Sequence, residues 1–219
     1  MKKLALAVLA ASLLLLTGCQ SGLSDTGDPL TVEQSESLAQ TRFQLASRGD
    51  TVLEISALPA DDVSHVELTV TFDPVDHLAW GTMWRGPEGI AVEEAVAFSP
   101  ETFAVKGESG WQSVPLESGP STALAVVFAL GSDRPENAQL LRQSDARYLG
   151  TADLDGEILH VFRAPSADGS GARTRLWVDD EGRLRRLDAG DDEQLVIRVT
   201  DTDPQPRPQG LDVGAGTGG

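Results

Sequence analysis

A strict alternation of apolar and polar residues in the first half of the chain most constrains its fold. Every second side chain between residues 65 and 72 is apolar: Val66, Leu68, Val70 and Phe72 alternate with His65, Glu67, Thr69 and Thr71. Successive residues of a β-strand point to opposite faces, so this period of two predicts a half-buried strand. Residues 51–57 and 78–84 have the same period, and Asp73-Pro74-Val75-Asp76 is typical of a turn. The sequence predicts an antiparallel meander.

Three further segments favour helices. Thr31 followed by Gln34 fits a capping box, and the helical period then continues to Arg48-Gly49 through Leu38, Ala39, Phe43 and Ala46. Residues 121–130 are apolar nearly all round, which predicts a helix buried on every side. A shorter, polar helix is predicted over residues 135–143, with Asp133 near its start.

The remaining segments predict strands. Short strands are expected at residues 95–98, 102–106 and 111–114, hairpins at 146–163 and 174–187, and a last strand at 195–199. Asp155-Gly156 and Asp180-Glu181-Gly182 supply the two hairpin turns. The order of helix, strands, two helices and strands predicts an α+β domain, with helices gathered on one face of a curved antiparallel β-sheet.

The N-terminus has the features of an export signal with a lipid attachment site. Met1-Lys2-Lys3 precedes an apolar run from Leu4 to Leu16, and Leu16-Thr17-Gly18-Cys19 looks like a lipobox. We expect residues 1–18 to be a signal peptide and Cys19 to carry acyl chains, whose methylenes add roughly 0.8 kcal/mol each to membrane attachment. The alternative is an ordinary signal peptide with a cysteine nearby. The expected location is extracytoplasmic, at the cell membrane.

The mature chain is expected to form one domain between two flexible ends. Residues 19–29 are expected to be the lipidated cysteine and a flexible linker, residues 30–202 a single domain, and the Pro- and Gly-rich residues 203–219 a disordered tail. Cys19 is the single cysteine, so a packed core and no intramolecular disulfide must stabilise the domain.

The charge of the chain excludes one class of partner. The formal net charge is −17, and it becomes −19 once Lys2 and Lys3 are removed with the signal. Such a chain is repelled by the phosphates of nucleic acids and by anionic lipid headgroups. We therefore expect no nucleic-acid binding, and we expect the acyl anchor to provide the membrane attachment.

Motifs for catalysis, metals or cofactors are not found in the sequence. A Gly-x-Ser-x-Gly elbow is absent, and His65, His77 and His160 lack the spacing of zinc ligands. Asp153-Leu154-Asp155-Gly156 fits a hairpin turn better than a calcium loop, and the acidic run Asp191-Asp192-Glu193 is more typical of a solvated loop. We predict no enzyme, no metal and no cofactor. Trp177 beside Arg175 indicates a possible cation–π pair.

Two segments resemble known proteins. Residues 129–141, Ala-Leu-Gly-Ser-Asp-Arg-Pro-Glu-Asn-Ala-Gln-Leu-Leu, and residues 176–184, Leu-Trp-Val-Asp-Asp-Glu-Gly-Arg-Leu, resemble a group of actinobacterial cell-envelope lipoproteins. The order of elements over residues 31–200 resembles the LppX and LprG type and, more distantly, the LolA and LolB carriers. The resemblance implies a half-barrel sheet whose concave face is covered by helices and holds acyl chains of lipids or lipoproteins.

A cavity of that kind would be lined by apolar residues of the alternating strand and the apolar helix. The candidates are Val66, Leu68, Val70, Phe72, Leu124, Val127 and Phe128. The sequence predicts a surface lipoprotein that binds or carries lipid or lipidated molecules. The alternative is a non-catalytic interaction or sensor lipoprotein, in which the same residues make a filled core and an exposed apolar or aromatic patch binds the partner. The oligomeric state is not indicated by the sequence.

Overall fold

In the computed structural model of the chain, the described residues are 22–57, 65–86, 92–115, 121–166, 174–190 and 194–211. The signal segment, Cys19 and the acidic residues 191–193 lie outside them. The strands are β1 (Asp28–Pro29), β2 (Thr51–Ala57), β3 (His65–Asp73), β4 (Leu78–Gly86), β5 (Val92–Phe98), β6 (Thr102–Gly107), β7 (Gly110–Pro115), β8 (Arg147–Leu154), β9 (Glu157–Arg163), β10 (Arg175–Val178), β11 (Leu184–Ala189) and β12 (Leu195–Thr200). The helices are α1 (Val32–Ser47), α2 (Ser121–Phe128) and α3 (Ala138–Gln143).

All the strands join one curved, unclosed antiparallel sheet. The spatial order is β1-β8-β9-β10-β11-β12-β2-β3-β4-β5-β6-β7, so the two halves of the chain meet where β12 pairs with β2. Neighbours in the sheet are mostly neighbours in the chain, as expected for hairpin-connected strands. The predicted α+β fold, a half-barrel sheet with helices on its concave face, is confirmed.

The first helix begins at the predicted capping box. Gln34 donates its backbone N–H to Thr31 Oγ1 at 3.2 Å, and the Gln34 side chain accepts the Thr31 N–H at 3.0 Å. Two amide groups that the helix start would otherwise leave unpaired are thus satisfied. The buried side of α1 faces the concave side of the sheet and includes Leu38, Ala39 and Leu45.

The concave face of the sheet holds the main core. Alternate residues of β2, β3 and β12 meet there with the apolar sides of α1 and α2. A neighbouring cluster lies under α1 and α3 against β9 and β10, and Leu176 packs against both clusters. The helices therefore cover one continuous apolar surface. No helix of the described part of the chain is long and apolar enough to cross a membrane.

The strand β4 has buried residues on both of its faces, whereas the simplest expectation is a strand with one buried face. Its largest apolar residues, Trp80 and Trp84, pair across strands with Thr71 and Glu67 on the convex side, whereas the small Ala79 and Gly81 and the flexible Met83 face the concave core. The period of two is as predicted. The residues of β4 that face the core are those in register with core residues of β3. Met83, for example, is the register partner of Leu68.

The C-terminal segment of residues 203–211 covers part of that convex face. Trp80 Nε1 donates to the Gln205 carbonyl at 3.0 Å, and Gln205 N–H donates to Thr71 Oγ1 at 2.8 Å. Arg207 pairs with Asp76 at 2.8 Å, and Leu211 packs against the cluster around Trp80. These residues lie in the tail that was expected to be disordered, and in the structure they contact the convex face.

The N-terminal segment of residues 22–29 is likewise in contact with the domain. Leu23 packs against a convex cluster formed by Leu149, Leu159, Val161 and Trp177. Ser24 N–H donates to the Leu149 carbonyl at 2.8 Å, and Asp28–Pro29 pairs with β8 as the edge strand β1. This part of the expected linker is therefore ordered against the sheet.

Two helix predictions need correction. The helix α2 ends at Phe128, and it is not buried on every side, because Ala125 is exposed. The helix α3 begins three residues later than predicted, after Asn137, whose side chain accepts the N–H groups of Gln139 and Leu140. Asn137 has the capping role that the sequence analysis placed near Asp133.

Candidate functional site

The structure brings the seven predicted lining residues together where α2 packs on β3. Val66, Leu68, Val70 and Phe72 are no more than 6% exposed and lie on the concave face of β3. Leu124 and Val127 of α2 are equally buried and belong to the same cluster. Phe128 is partly buried and meets Phe72 and Phe98 edge to face, at centroid separations of 6.1 Å and 5.8 Å.

Neighbouring strands position these side chains. Ile55 and Met83 are the register partners of Leu68 on either side, and Leu53 and Gly81 are those of Val70. Because partners in an antiparallel sheet point to the same face, each residue of β3 lies in a row of apolar side chains that crosses the sheet. The helix α2 lies over these rows.

The outward side of α2 is also apolar. Ala125 is exposed, as is Ala129 just beyond the end of the helix, whereas Val126 and Phe128 are partly buried against the core. A helix that lies on a protein surface usually carries polar residues on its outer side. At Ala125 the helix α2 instead presents an apolar side chain to solvent.

The segment that follows α2 is fastened to α1 by hydrogen bonds. Arg42 donates to the Gly131 carbonyl at 3.2 Å and to Glu136 Oε1 at 3.0 Å. Ser132 N–H donates to the Arg42 carbonyl, and Glu136 N–H donates to the Ala39 carbonyl. This segment thus fixes the C-terminal end of α2. The contacts of Leu124, Val127 and Phe128 with the sheet are apolar.

Six of the seven residues are almost fully buried in one cluster, and Phe128 is partly buried against it. Two clefts are described elsewhere on the domain. One, of about 490 Å³, lies beside α3 between Ser132 and Pro165. The other, of about 500 Å³, lies on the convex face and is lined by Glu54, Ile55, Ser56, Glu67, Leu68, Thr69, Trp84, Val196 and Arg198. We call the second one the outer cleft. This cleft was not predicted from the sequence, although the period of two that places Trp80 and Trp84 on one face of β4 was.

The polar candidates form structural contacts. His160 bridges Tyr148 Oη, at 3.1 Å, and Asp180 Oδ1, at 3.0 Å, and so ties β8 and β9 to the turn after β10. Burial raises the pKa of the Tyr148 hydroxyl above its ordinary value. Asp155 has a φ of 55° in the β8–β9 turn, as a hairpin turn requires.

Metal ligands are not gathered in the described part of the chain: no three His, Cys, Asp or Glu side chains meet there in a way that could hold an ion. His77 lies in the β3–β4 turn with a φ of 50°, and His65 begins β3. The histidines are thus placed at separate points of the sheet.

Comparisons with known proteins identify similar folds. No protein-family model and no curated protein matches the sequence. Among solved structures, the chain is similar to LprF from Mycobacterium bovis, with 15% identity and a TM-score of 0.47 over 80% of this chain and 94% of that one. It is also similar to the LolA superfamily protein NE2245 from Nitrosomonas europaea, with 13% identity and a TM-score of 0.33 over 82% and 96% of the two chains.

A third similar structure is a chain of the Pseudomonas aeruginosa MucA/MucB complex, with 14% identity and a TM-score of 0.37 over 77% of this chain. The present chain spans about half of its length, 54%. All three likenesses are likenesses of fold at low sequence identity.

Proposed function

We propose that this protein is a membrane-anchored lipoprotein that binds lipid or a lipidated molecule between α2 and the concave face of its sheet. The observation behind this proposal is that α2 covers the concave core through apolar side chains. It packs on the core through Leu124 and Val127, and its exposed residue Ala125 is also apolar.

Binding of lipid between α2 and the sheet would replace apolar packing of α2 by contacts with acyl chains. The C-terminal end of α2 is held through Gly131 and Arg42, and its remaining contacts with β3 are apolar packing. Removing a buried Leu, Val or Phe side chain from its place costs roughly 1.5–3 kcal/mol, and each acyl methylene that replaces it returns about 0.8 kcal/mol. A few methylenes therefore offset each displaced side chain.

Native mass spectrometry of residues 22–219 tests the lipid site. This piece retains all the described elements and lacks Cys19, so that any lipid in the complex is bound non-covalently. We expect a defined lipid to co-purify, or to bind after incubation with vesicles of phosphatidylethanolamine and phosphatidylglycerol. A mass that stays free of lipid after this incubation contradicts the proposal.

Two substitutions in α2 serve as a matched pair. Val127→Glu places a carboxylate in the buried cluster and is expected to abolish lipid binding, whereas Ala125→Glu adds the same charge on the exposed side and is expected to preserve it. Loss of lipid in Ala125→Glu alone would indicate adsorption to the outside of the helix. Circular dichroism is used to check that both variants are folded.

The anchor is a separate part of the proposal. Its support is the order of Lys2-Lys3, the apolar run and Leu16-Thr17-Gly18-Cys19 in the sequence. Growth of a producing bacterium with an alkyne-bearing fatty acid tests it. We expect the full chain to be labelled and to sediment with membranes, and Cys19→Ser to lose both properties. Equal labelling of Cys19→Ser contradicts lipidation at this residue.

A second candidate function is an interaction lipoprotein with a filled core. The close packing of the seven lining residues favours it, as does the presence of an open cleft on the other side of the sheet. The two functions differ in the lipid experiment, because only the first requires that lipid occupy the domain.

A further inference from the structure

We propose that the outer cleft binds an extended, arginine-containing segment of a partner polypeptide. The cleft crosses β12, β2, β3 and β4 on the convex face and has a volume of about 500 Å³. It lies on the side of the sheet opposite the helices. This site goes beyond the proposed lipid function, and the two sites can be occupied or lost independently.

The chain itself shows which kind of segment the convex face binds. Residues 203–211 lie across it, with the Gln205 backbone bonded to the indole of Trp80 and the hydroxyl of Thr71. The Arg207 guanidinium in this segment pairs with Asp76 at 2.8 Å. An indole, a threonine hydroxyl and a carboxylate thus bind an extended segment that contains arginine.

The outer cleft presents the same three groups further along the same strands. Trp84 lies four residues beyond Trp80 on the same face of β4, about 13 Å away. Thr69 lies two residues from Thr71 on the same face of β3, and Glu67 is the register partner of Trp84. Trp84 and Thr69 are partly exposed, and Glu67 is exposed.

Charge in and around the cleft favours a cationic partner. Glu67 on β3 and Glu93 on β5 are exposed and are the register partners of Trp84 on its two sides, and the exposed Glu54 on β2 is the register partner of Thr69. Among the described residues that line the cleft, the one cation is Arg198, which pairs with Asp155 at 3.0 Å. A guanidinium gains from stacking on an indole and from nearby carboxylates, and complementary charge directs association.

The probe that tests this is a fluorescein-labelled octapeptide with three arginines among glycines and serines. Its binding to residues 22–219 is measured by fluorescence anisotropy, with the peptide in which glutamine replaces each arginine as a reference. We expect the arginine peptide to bind and the glutamine peptide to bind at least about tenfold more weakly. Failure of the wild-type chain to bind the arginine peptide overturns the proposal.

Two double variants that remove the same number of charges distinguish peptide binding at the cleft from attraction to the acidic domain as a whole. The double variant Glu54→Gln/Glu67→Gln is expected to raise the Kd for the arginine peptide about tenfold. Glu36→Gln/Glu101→Gln removes the same charge from exposed positions outside the cleft and is expected to leave the Kd within about twofold. Equal weakening by the two double variants overturns the proposal.

Trp84→Leu tests the contribution of the Trp84 ring to peptide binding. If this variant does not fold, the carboxylate variants provide the test of the proposal. We expect about tenfold weaker peptide binding. Binding of an N-acetylglucosamine oligosaccharide at the cleft in place of the peptide would assign it to glycans and overturn the proposal. Self-association that Arg207→Gln abolishes would assign it to the tail of a second copy, with the same consequence.

Discussion

Trp177 donates its indole N–H to Asp188 across strands β10 and β11, with 2.8 Å between Nε1 and Oδ2. The other oxygen of Asp188 accepts a hydrogen bond from Arg186 Nε at 2.5 Å, and the guanidinium carbon of Arg186 lies 4.9 Å from the Trp177 ring centroid. Only 2% of the Asp188 surface is exposed. The cation over the indole comes from the neighbouring strand, whereas the sequence had pointed to Arg175.

Removing this carboxylate is expected to destabilise the domain strongly. Asp188→Asn removes the buried carboxylate that pairs with the largely buried Arg186, and breaking such a pair costs about 3 kcal/mol of unfolding free energy. Urea denaturation measures this loss. Asp155→Asn is the control, because Asp155 and Arg198 form an exposed pair and its loss is expected to cost less than about 1 kcal/mol. Similar losses in the two variants would contradict the expectation.

Substitution of Gly81 is expected to disturb the packing of β4 against β3. A Cβ at this position would lie 2.1 Å from the Thr69 carbonyl oxygen and 2.7 Å from Val70 Cα, so the backbone of one strand must shift. Gly81→Ala is expected to cost about 3 kcal/mol in thermal or urea unfolding. Gly22→Ala, where nothing lies within 4 Å of the added Cβ, should change stability by less than about 0.5 kcal/mol. An equally stable Gly81→Ala would rule out the close approach.

The C-terminal segment is expected to stabilise the convex face. A chain that ends at residue 202 loses the Gln205 contacts with Trp80 and Thr71 and the packing of Leu211, and we expect its unfolding free energy to fall by about 2 kcal/mol. Its tryptophan fluorescence should shift to longer wavelength as Trp80 becomes hydrated. A chain that ends at residue 211 keeps these contacts and should match the full chain. Identical emission of the two truncated chains would show that Trp80 is not covered by this segment.

The Arg185–Asp201 pair gives a pH dependence of stability with a defined sign. A hydrogen bond from Arg185 holds the pKa of the Asp201 carboxyl below its ordinary value. The pair therefore stabilises the fold above the unfolded pKa, and this contribution is lost as the pH falls through the folded pKa. Asp201→Asn is expected to lower the unfolding free energy by less than about 1 kcal/mol near neutral pH and to have no effect in acid well below that pKa. A loss that is constant with pH would contradict this.

Asp50 is expected to contribute a pH dependence of stability of the opposite sign. Partial burial, followed by the charges of Asp73 and Asp76, raises the pKa of its carboxyl. A raised carboxyl pKa means that stability is complete below the unfolded pKa and is lost as the pH rises through the folded pKa. Asp50→Asn should therefore increase stability slightly near neutral pH and not in acid. Denaturation of both variants over the same pH range provides the comparison.

Several parts of the candidate site were predictable from the sequence. The alternation in β3 placed Val66, Leu68, Val70 and Phe72 on one face, and the structure shows them on the concave side beneath Leu124 and Val127. Whether these side chains fill the space between them depends on how the whole sheet curves and how α2 lies over it. That arrangement involves residues far apart in the chain.

The local elements of this protein follow from short stretches of its sequence. The capping box of Thr31 and Gln34, the period of two in β3 and the Asp155-Gly156 turn each depend on residues within a few positions of one another, where steric and hydrogen-bonding preferences act directly. The roles of residues 203–211 and of Trp80 and Trp84 depend instead on tertiary contacts. An aromatic residue of a strand can face either side of a sheet, and the side is chosen by strand register and by which distant segment buries it.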